Sequence, residues 1–111
     1  MADDSEDATW DRFKKTVNMT AHELEKWLAT EESQSVGQKR GDDESTGHAS
    51  GRRIVAILKA KRSELGADDY AHMRKVVGYA KRHLAQRPEG NISESAWRYS
   101  LMNWGHDPSK S

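Results

Sequence analysis

Large apolar side chains in this chain recur at three- and four-residue spacing in one run after another, and that period constrains the fold more than any other feature. Trp10, Phe13 and Val17 share one helical face, with Lys14 in the same spacing. Leu24, Trp27 and Leu28 share a second. Ile54, Ile57, Leu58 and Leu65 form a third, with Val55 beside them and the stem of Lys61 placed to snorkel at its edge. Tyr70, Met73, Val76, Val77, Ala80 and Leu84 form a fourth, and Trp97, Leu101 and Trp104 a fifth. The chain lacks the alternation expected of a nucleic-acid-binding sheet, so the spacing predicts an all-α fold: a compact four- or five-helix domain with a long polar loop and frayed termini. Its core is expected to draw on Trp10, Phe13, Leu24, Trp27, Leu28, Ile54, Leu58, Val77, Leu84, Trp97 and Leu101.

Punctuation between the runs sets the boundaries. Thr20 and Glu23 have the three-residue spacing of a capping box, in which each side chain satisfies an otherwise orphan amide. Ser50 and Asp68 read as N-caps of the two central helices, and Asn91 with Glu94 as a second box before the last helix. Arg87-Pro88-Glu89-Gly90-Asn91 closes the fourth run, and Gly105 the fifth. From Ser33 to Ser50 the chain has three glycines, four serines and two aspartates but few large apolar groups, which predicts a long surface loop with a short turn near Ser33 to Gly37. The expected organisation is an acidic flexible arm over 1–9, a single helical domain over 10–108 and a flexible tail over 109–111.

Composition narrows the class. A chain of 111 residues fits one domain, and 34% apolar against 32% charged residues leaves a modest core that four tryptophans, three tyrosines and one phenylalanine must dominate. Absence of cysteine excludes disulfides and thiolate chemistry. No apolar run approaches the roughly 20 residues of a membrane span, and the acidic start differs from a signal peptide. A soluble, cytoplasmic protein without a membrane partner is the expectation. The zero formal net charge hides a division: residues 1–46 carry twelve acidic and six basic side chains, and residues 47–111 the reverse. Such halves either attract each other or give the second a positive field that draws in a polyanion.

Two basic segments carry the candidate chemistry. In Gly47–Arg53, a helix beginning at Ser50 would leave the amides near Gly51 to Arg53 open to an anion, with Arg52 and Arg53 as forked donors. Arg52 has a second expected use, pairing within the chain to an acid from Asp42 to Glu44. In Met73–Leu84, Arg74, Lys75, Lys81 and Arg82 lie broadly opposite the apolar stripe, Gly78 lies between the basic turns, and no acid occurs from Ala71 to Pro88. Arg98 and Tyr99, if exposed, would add pairing or stacking. The segment before Gly51 lacks the GxxxxGK[ST] arrangement of a nucleotide loop. His22, His48, His72, His83 and His106 have neither HxH nor HExxH spacing, so no metal is expected. His106 and Asp107 are expected to pair in a terminal turn near Trp104. No catalytic residue and no cofactor are assigned.

Four strings, Val17–Lys39, Gly47–Lys61, His72–Pro88 and Trp97–Pro108, resemble in sequence and order the small bacterial proteins grouped as domain of unknown function 3140. The resemblance covers roughly residues 10 to 108. Some members carry a DNA-binding label, and what the resemblance implies goes no further. Together with the basic segments it gives the functional expectation: a noncatalytic DNA-associated protein in which Arg52, Arg53, Arg74, Lys75, Lys81 and Arg82 contact duplex phosphates. The alternative is a noncatalytic protein-interaction or stress-associated adaptor, which would need an exposed apolar groove or a partner of complementary charge.

Overall fold

The computed structural model describes residues 5–36 and 46–110, and these form six α-helices and one 3-10 turn. Ser5 opens α1 (Glu6–Thr16) by accepting from the Ala8 amide, with Glu6 and Asp7 in the first turn and Lys14 and Lys15 in the last, the charge order that suits the helix dipole. The first turn of α1 thus takes in residues that the sequence assigns to the acidic arm. Thr20 and Glu23 form the expected capping box of α2 (Ala21–Leu28), at 3.1 and 2.9 Å. A helix absent from the sequence reading follows: Thr30 accepts from the Ser33 amide and starts the five-residue α3 (Glu31–Ser35).

The expected loop from Ser33 to Ser50 is therefore too long at both ends. Residues 33–35 belong to α3, and α4 (Thr46–Lys59) already runs through Ser50. Its small residues are not a hinge. Gly47 faces Trp104 and Asn103, and Gly51 faces the Asn103 carbonyl and Leu28, so the small side chains permit close helix crossing. Residues 37–45, and with them the expected Arg52 partners Asp42 to Glu44, lie outside the described residues. So do residues 1–4 of the arm and 111 of the tail.

After a 3-10 turn at Arg62–Glu64 comes α5 (Ala67–Leu84), whose N-cap is Gly66 rather than Asp68. The reason is local: Asp69 reaches back to accept from the Gly66 amide at 2.9 Å. The last helix, α6 (Ala96–Asn103), is capped by Ser95 rather than Asn91, because Asn91 spends its side-chain oxygen on the Ser93 amide in a turn of its own. Gly105, at φ 82°, ends α6 in a backbone conformation that costs glycine little.

Helix α1 packs along α5 and α2 along α4, while α6 touches α2, α3, α4 and α5 and joins the pairs. Phe13, Leu24, Ile54, Met73, Val76 and Leu101 are sealed from solvent at these contacts. Trp10, Trp27, Leu58 and Val77 pack against the core but stay partly exposed, and Trp97 is half-buried. Leu84 departs from the expected core at 38% exposed. Burial along α5 stops at Ala80, and in the turn beyond it α6 engages His83 instead.

The division of charge has a structural use. Arg62 pairs with Asp7, Lys59 with Glu25 at 2.7 Å and Lys110 with Glu23 at 2.6 Å, each joining the basic second part of the chain to the acidic first part. The Lys110 ammonium and the Thr20 amide hold the Glu23 carboxyl down to about 2. The segment after Gly105 is also fixed: Asn18 donates to the Asp107 carbonyl at 2.9 Å and accepts from its amide at 2.8 Å.

Candidate anion-binding site

The six cations expected to form one phosphate-binding surface are exposed but occupy different flanks. On α5, Lys75 and Arg82 share a stripe with Tyr79 at i, i+4 and i+7. Arg74 and Lys81 share the neighbouring stripe with Gly78, where Arg74, Val77 and Gly78 border a 230 Å³ cavity with Thr9 and Arg12 of α1. Arg53 lies at the α4–α5 seam, 3.7 Å from Asp69. Arg52 lies on the α2 side of α4, on the helical stripe of His48 and Lys59, which bind the Leu28 carbonyl and Glu25. The structure thus brings Arg53, Lys75 and Arg82 toward one seam and leaves Arg52 away from it.

The anion-favouring helix end expected at Gly51 to Arg53 does not exist. Those residues lie beyond the first turn of α4, where amides are spent on the carbonyls four residues back. Gly78, between the basic turns, serves Arg82. The nearest atom to a side chain placed there is Nη1 of Arg82, at 3.1 Å, so this glycine makes room for that guanidinium to lie back along α5.

A half-open cavity of 410 Å³ lies where α4, α5 and α6 meet, walled by Gly47, Lys75, Tyr79, Arg82, Asn103 and Trp104. Thr46 and Ser100 complete the wall, in which no carboxylate occurs among the described residues. Burial pushes the Tyr79 phenol upward, against a hydrogen bond with Ser100 that pulls the other way. Its ring lies 4.2 Å from that of Trp104 at 13°, within a column of near-parallel rings running His72, Trp104, Tyr79, His83 and Trp97. Arg87 caps the column over Trp97. Trp104 stands in the sequence as part of an apolar face, and Tyr79, Ser100 and Asn103 are not among the expected site residues, although Lys75, Tyr79 and Arg82 share a spacing that places them on one stripe.

Three further expectations change. His106 donates to the Thr16 carbonyl at 2.7 Å, and Asp107 is held by a two-pronged contact from Arg98, so His106 and Asp107 do not pair with each other. Burial alone would raise the Asp107 carboxyl, but Arg98 and the Ser109 amide override it and leave it lowered. Arg98 is thereby committed, and Tyr99 packs on Trp27 at 5.3 Å, so neither is presented to a nucleic acid. Among the described residues no group of three His, Asp or Glu side chains is placed to hold a metal, and no helix is long and apolar enough to cross a membrane.

A family model described as a protein of unknown function, DUF3140, matches residues 12–102, most of the chain. The chain belongs to the DUF3140 family. No curated protein and no solved structure matches it. In this DUF3140 protein the matched span takes in the second half of α1, all of α2 to α5, α6 except its last residue, and every described residue of the cavity wall except Asn103 and Trp104, which follow it directly.

His72 makes the seam sensitive to pH. It is hydrogen-bonded to Ser50 at 2.9 Å and stacked on Trp104; burial, then the charges of Arg53 and Lys75, lower its pKa against smaller opposing effects of Ser50 and Asp69. The unfolded chain therefore takes up this proton at a higher pH than the folded one. Stability attributable to His72 is present above about pH 6.5 and is lost as pH falls from there through the lowered folded value. Urea unfolding of the wild type between pH 7.5 and 5 should show this loss, and His72→Gln should flatten it. An equal slope in both proteins would assign the effect to another group.

Proposed function

We propose that this protein is a noncatalytic DNA-associated protein that grips the duplex phosphate backbone through the cations of α5. The observation that carries the reading is how the fold distributes its ion pairs. Arg53, Lys59, Arg62, Arg98 and Lys110 each have a carboxylate partner, whereas on α5 Lys75, Lys81 and Arg82 ion-pair with no described residue. Other cations such as Lys14, Lys26 and Lys61 share that state, but only α5 gathers three of them in a stretch, Ala71 to Pro88, that holds no acid. Unpaired cations on one exposed helix are what neutralises phosphates and releases counterions. Phosphate contacts position a duplex without identifying its bases, so binding is expected to be independent of sequence. The reading carries a bacterial, cytoplasmic setting with it. Of the two surfaces an adaptor could use, the apolar groove finds little support, since the one exposed large apolar side chain among the described residues is Leu84; an adaptor that meets a partner of complementary charge would use the same cations.

The test is a titration of a labelled duplex, and of a composition-matched scrambled one, at several salt concentrations. Wild type should bind both alike and weaken steeply with salt. Lys75→Ala with Arg82→Ala, and separately Arg74→Ala with Lys81→Ala, interrogate the two flanks of α5. A flank that makes two direct phosphate contacts should lose about 1.8 from the salt slope when both are removed. Absence of binding at low salt by folded protein, or slopes unchanged in both variants, would overturn the proposal and turn attention to a protein partner.

A further inference from the structure

The cavity between α4, α5 and α6 has features that a backbone-gripping helix does not require. Trp104 is 4% exposed, yet its indole N–H donates to no described group. The one side-chain polar atom sealed from solvent without a partner, among the described residues, is the hydroxyl of Thr9. The unpartnered indole N–H is therefore not sealed, and it opens to the cavity that Trp104 lines. Gly47 is what leaves it open, because a side-chain carbon at that position would stand 3.2 Å from Nε1. Asn103 Nδ2 lies 3.7 Å from the same point, and only one of its two hydrogens is spent, on the Ser33 carbonyl. Two nitrogen donors of buried residues thus share one corner, and Lys75 and Arg82, neither in an ion pair with a described residue, flank it from α5.

We infer that this cavity is a binding site for a small phosphate monoester. Among the described residues the wall supplies two cations, nitrogen donors and hydroxyls and no carboxylate, which suits an anion. A phosphate monoester carries a charge of about −1.5 to −2 at neutral pH, matched to the two cations. A backbone phosphodiester carries one charge and is flanked by sugars on both sides, so a concave site admits it poorly. A volume of 410 Å³ lies within the range of small-molecule sites, and it leaves room beyond the phosphate for a sugar-sized body. The inference does not rest on the DNA reading: a duplex lying across α5 needs exposed cations, whereas this site needs Gly47 and the indole N–H of Trp104.

The experiment follows the indole and backbone amide signals of the full-length ¹⁵N-labelled protein during titration with ribose 5-phosphate, AMP and inorganic phosphate. Ribose, adenosine and dimethyl phosphate serve as neutral and diester controls, and Trp104→Phe assigns the indole signal. Phosphate monoesters should shift the Trp104 indole and Gly47 amide signals saturably, and the controls should not. A duplex with 5′-phosphate ends, compared with one bearing 5′-hydroxyl ends, separates a strand terminus from a free ester as the source of the group. Gly47→Ala should crowd the indole N–H, and Arg82→Gln should remove a charged donor on the surface, each weakening binding roughly ten- to a hundredfold. Should Gly47→Ala fail to fold, Arg82→Gln decides. No saturable shift with any monoester, equal shifts with the controls, or unchanged affinity in a folded Arg82→Gln protein would overturn the assignment. Loss of duplex binding with the monoester response intact would remove the DNA proposal alone.

Discussion

Gly51→Ala should destabilise the protein by about 2 to 3 kcal/mol, enough to lower the urea midpoint clearly at unchanged m-value. The added carbon would stand 2.5 Å from the Asn103 carbonyl oxygen and 2.7 Å from Leu28 Cδ2. Leucine can change rotamer, but a backbone carbonyl at the end of α6 moves only if the helix does. Both obstacles lie at the crossing that joins α4 to α2 and α6, so relief at one requires displacement from the other. Helix propensity works in the opposite direction, favouring alanine over glycine by up to about 1 kcal/mol in a helix interior. Gly78→Ala isolates that opposing effect. Its new carbon meets only the end of the Arg82 side chain, at 3.1 Å, and a flexible guanidinium can swing away. Gly78→Ala should therefore be neutral to stabilising by up to about 1 kcal/mol. Similar stabilities for the two variants would show that the α4 crossing yields more readily than its geometry implies.

These glycines also show where the sequence is legible and where it is not. Helical period placed Phe13, Leu24, Leu28, Ile54 and Leu101 in the core, and the Thr20–Glu23 box formed as its spacing requires, because both signals depend only on neighbours within two turns. Gly47 and Gly51 carry no such local signature. A glycine that loosens a chain and a glycine that lets two helices touch are the same letter, and the choice is made by Trp104, Asn103 and Leu28 from elsewhere in the fold. That choice extends α4 back to Thr46 and leaves no free amides at Gly51 to Arg53, where a helix starting at Ser50 would have had them.

The cations divided in the same way. Their density on α5 was plain in the sequence, as was the lack of acids among them. Which of them stay unpaired was not, since Arg62, Lys59 and Lys110 find carboxylates 55, 34 and 87 positions away. The cavity depends equally on distant contacts. Trp104 satisfies the apolar period of α6, and nothing in that period reveals that its N–H donates to no described group or that Gly47 exposes it.

Asn103→Ala is the second large effect expected, a loss of about 2 to 4 kcal/mol. Asn103 is 1% exposed and joins three elements: its Oδ1 accepts from Trp27 Nε1 at 2.8 Å and from Ser33 Oγ at 2.5 Å, while Nδ2 donates to the Ser33 carbonyl at 3.0 Å. Truncation leaves an indole N–H, a hydroxyl and a carbonyl without those partners. Each unsatisfied buried group costs about 1 to 3 kcal/mol, and water entering from the adjoining cavity recovers part of the sum. Asn103→Asp should not rescue the loss, because it keeps the acceptor, removes the donor to Ser33 and adds a charge at a buried position. Asn103→Leu separates volume from polarity: it refills the space and leaves the same three groups unpaired, so a loss close to that of alanine would assign the cost to hydrogen bonding. The damage should be uneven along the chain. A five-residue helix has too few internal hydrogen bonds to persist alone, and α3 borrows its stability from contact with α6 through Ser33 and Asn103. Amide exchange across residues 31–35 should therefore accelerate in Asn103→Ala more than exchange in α1 or α5, whereas a uniform rise, or stability within about 1 kcal/mol of wild type, would show that α3 is held by other contacts.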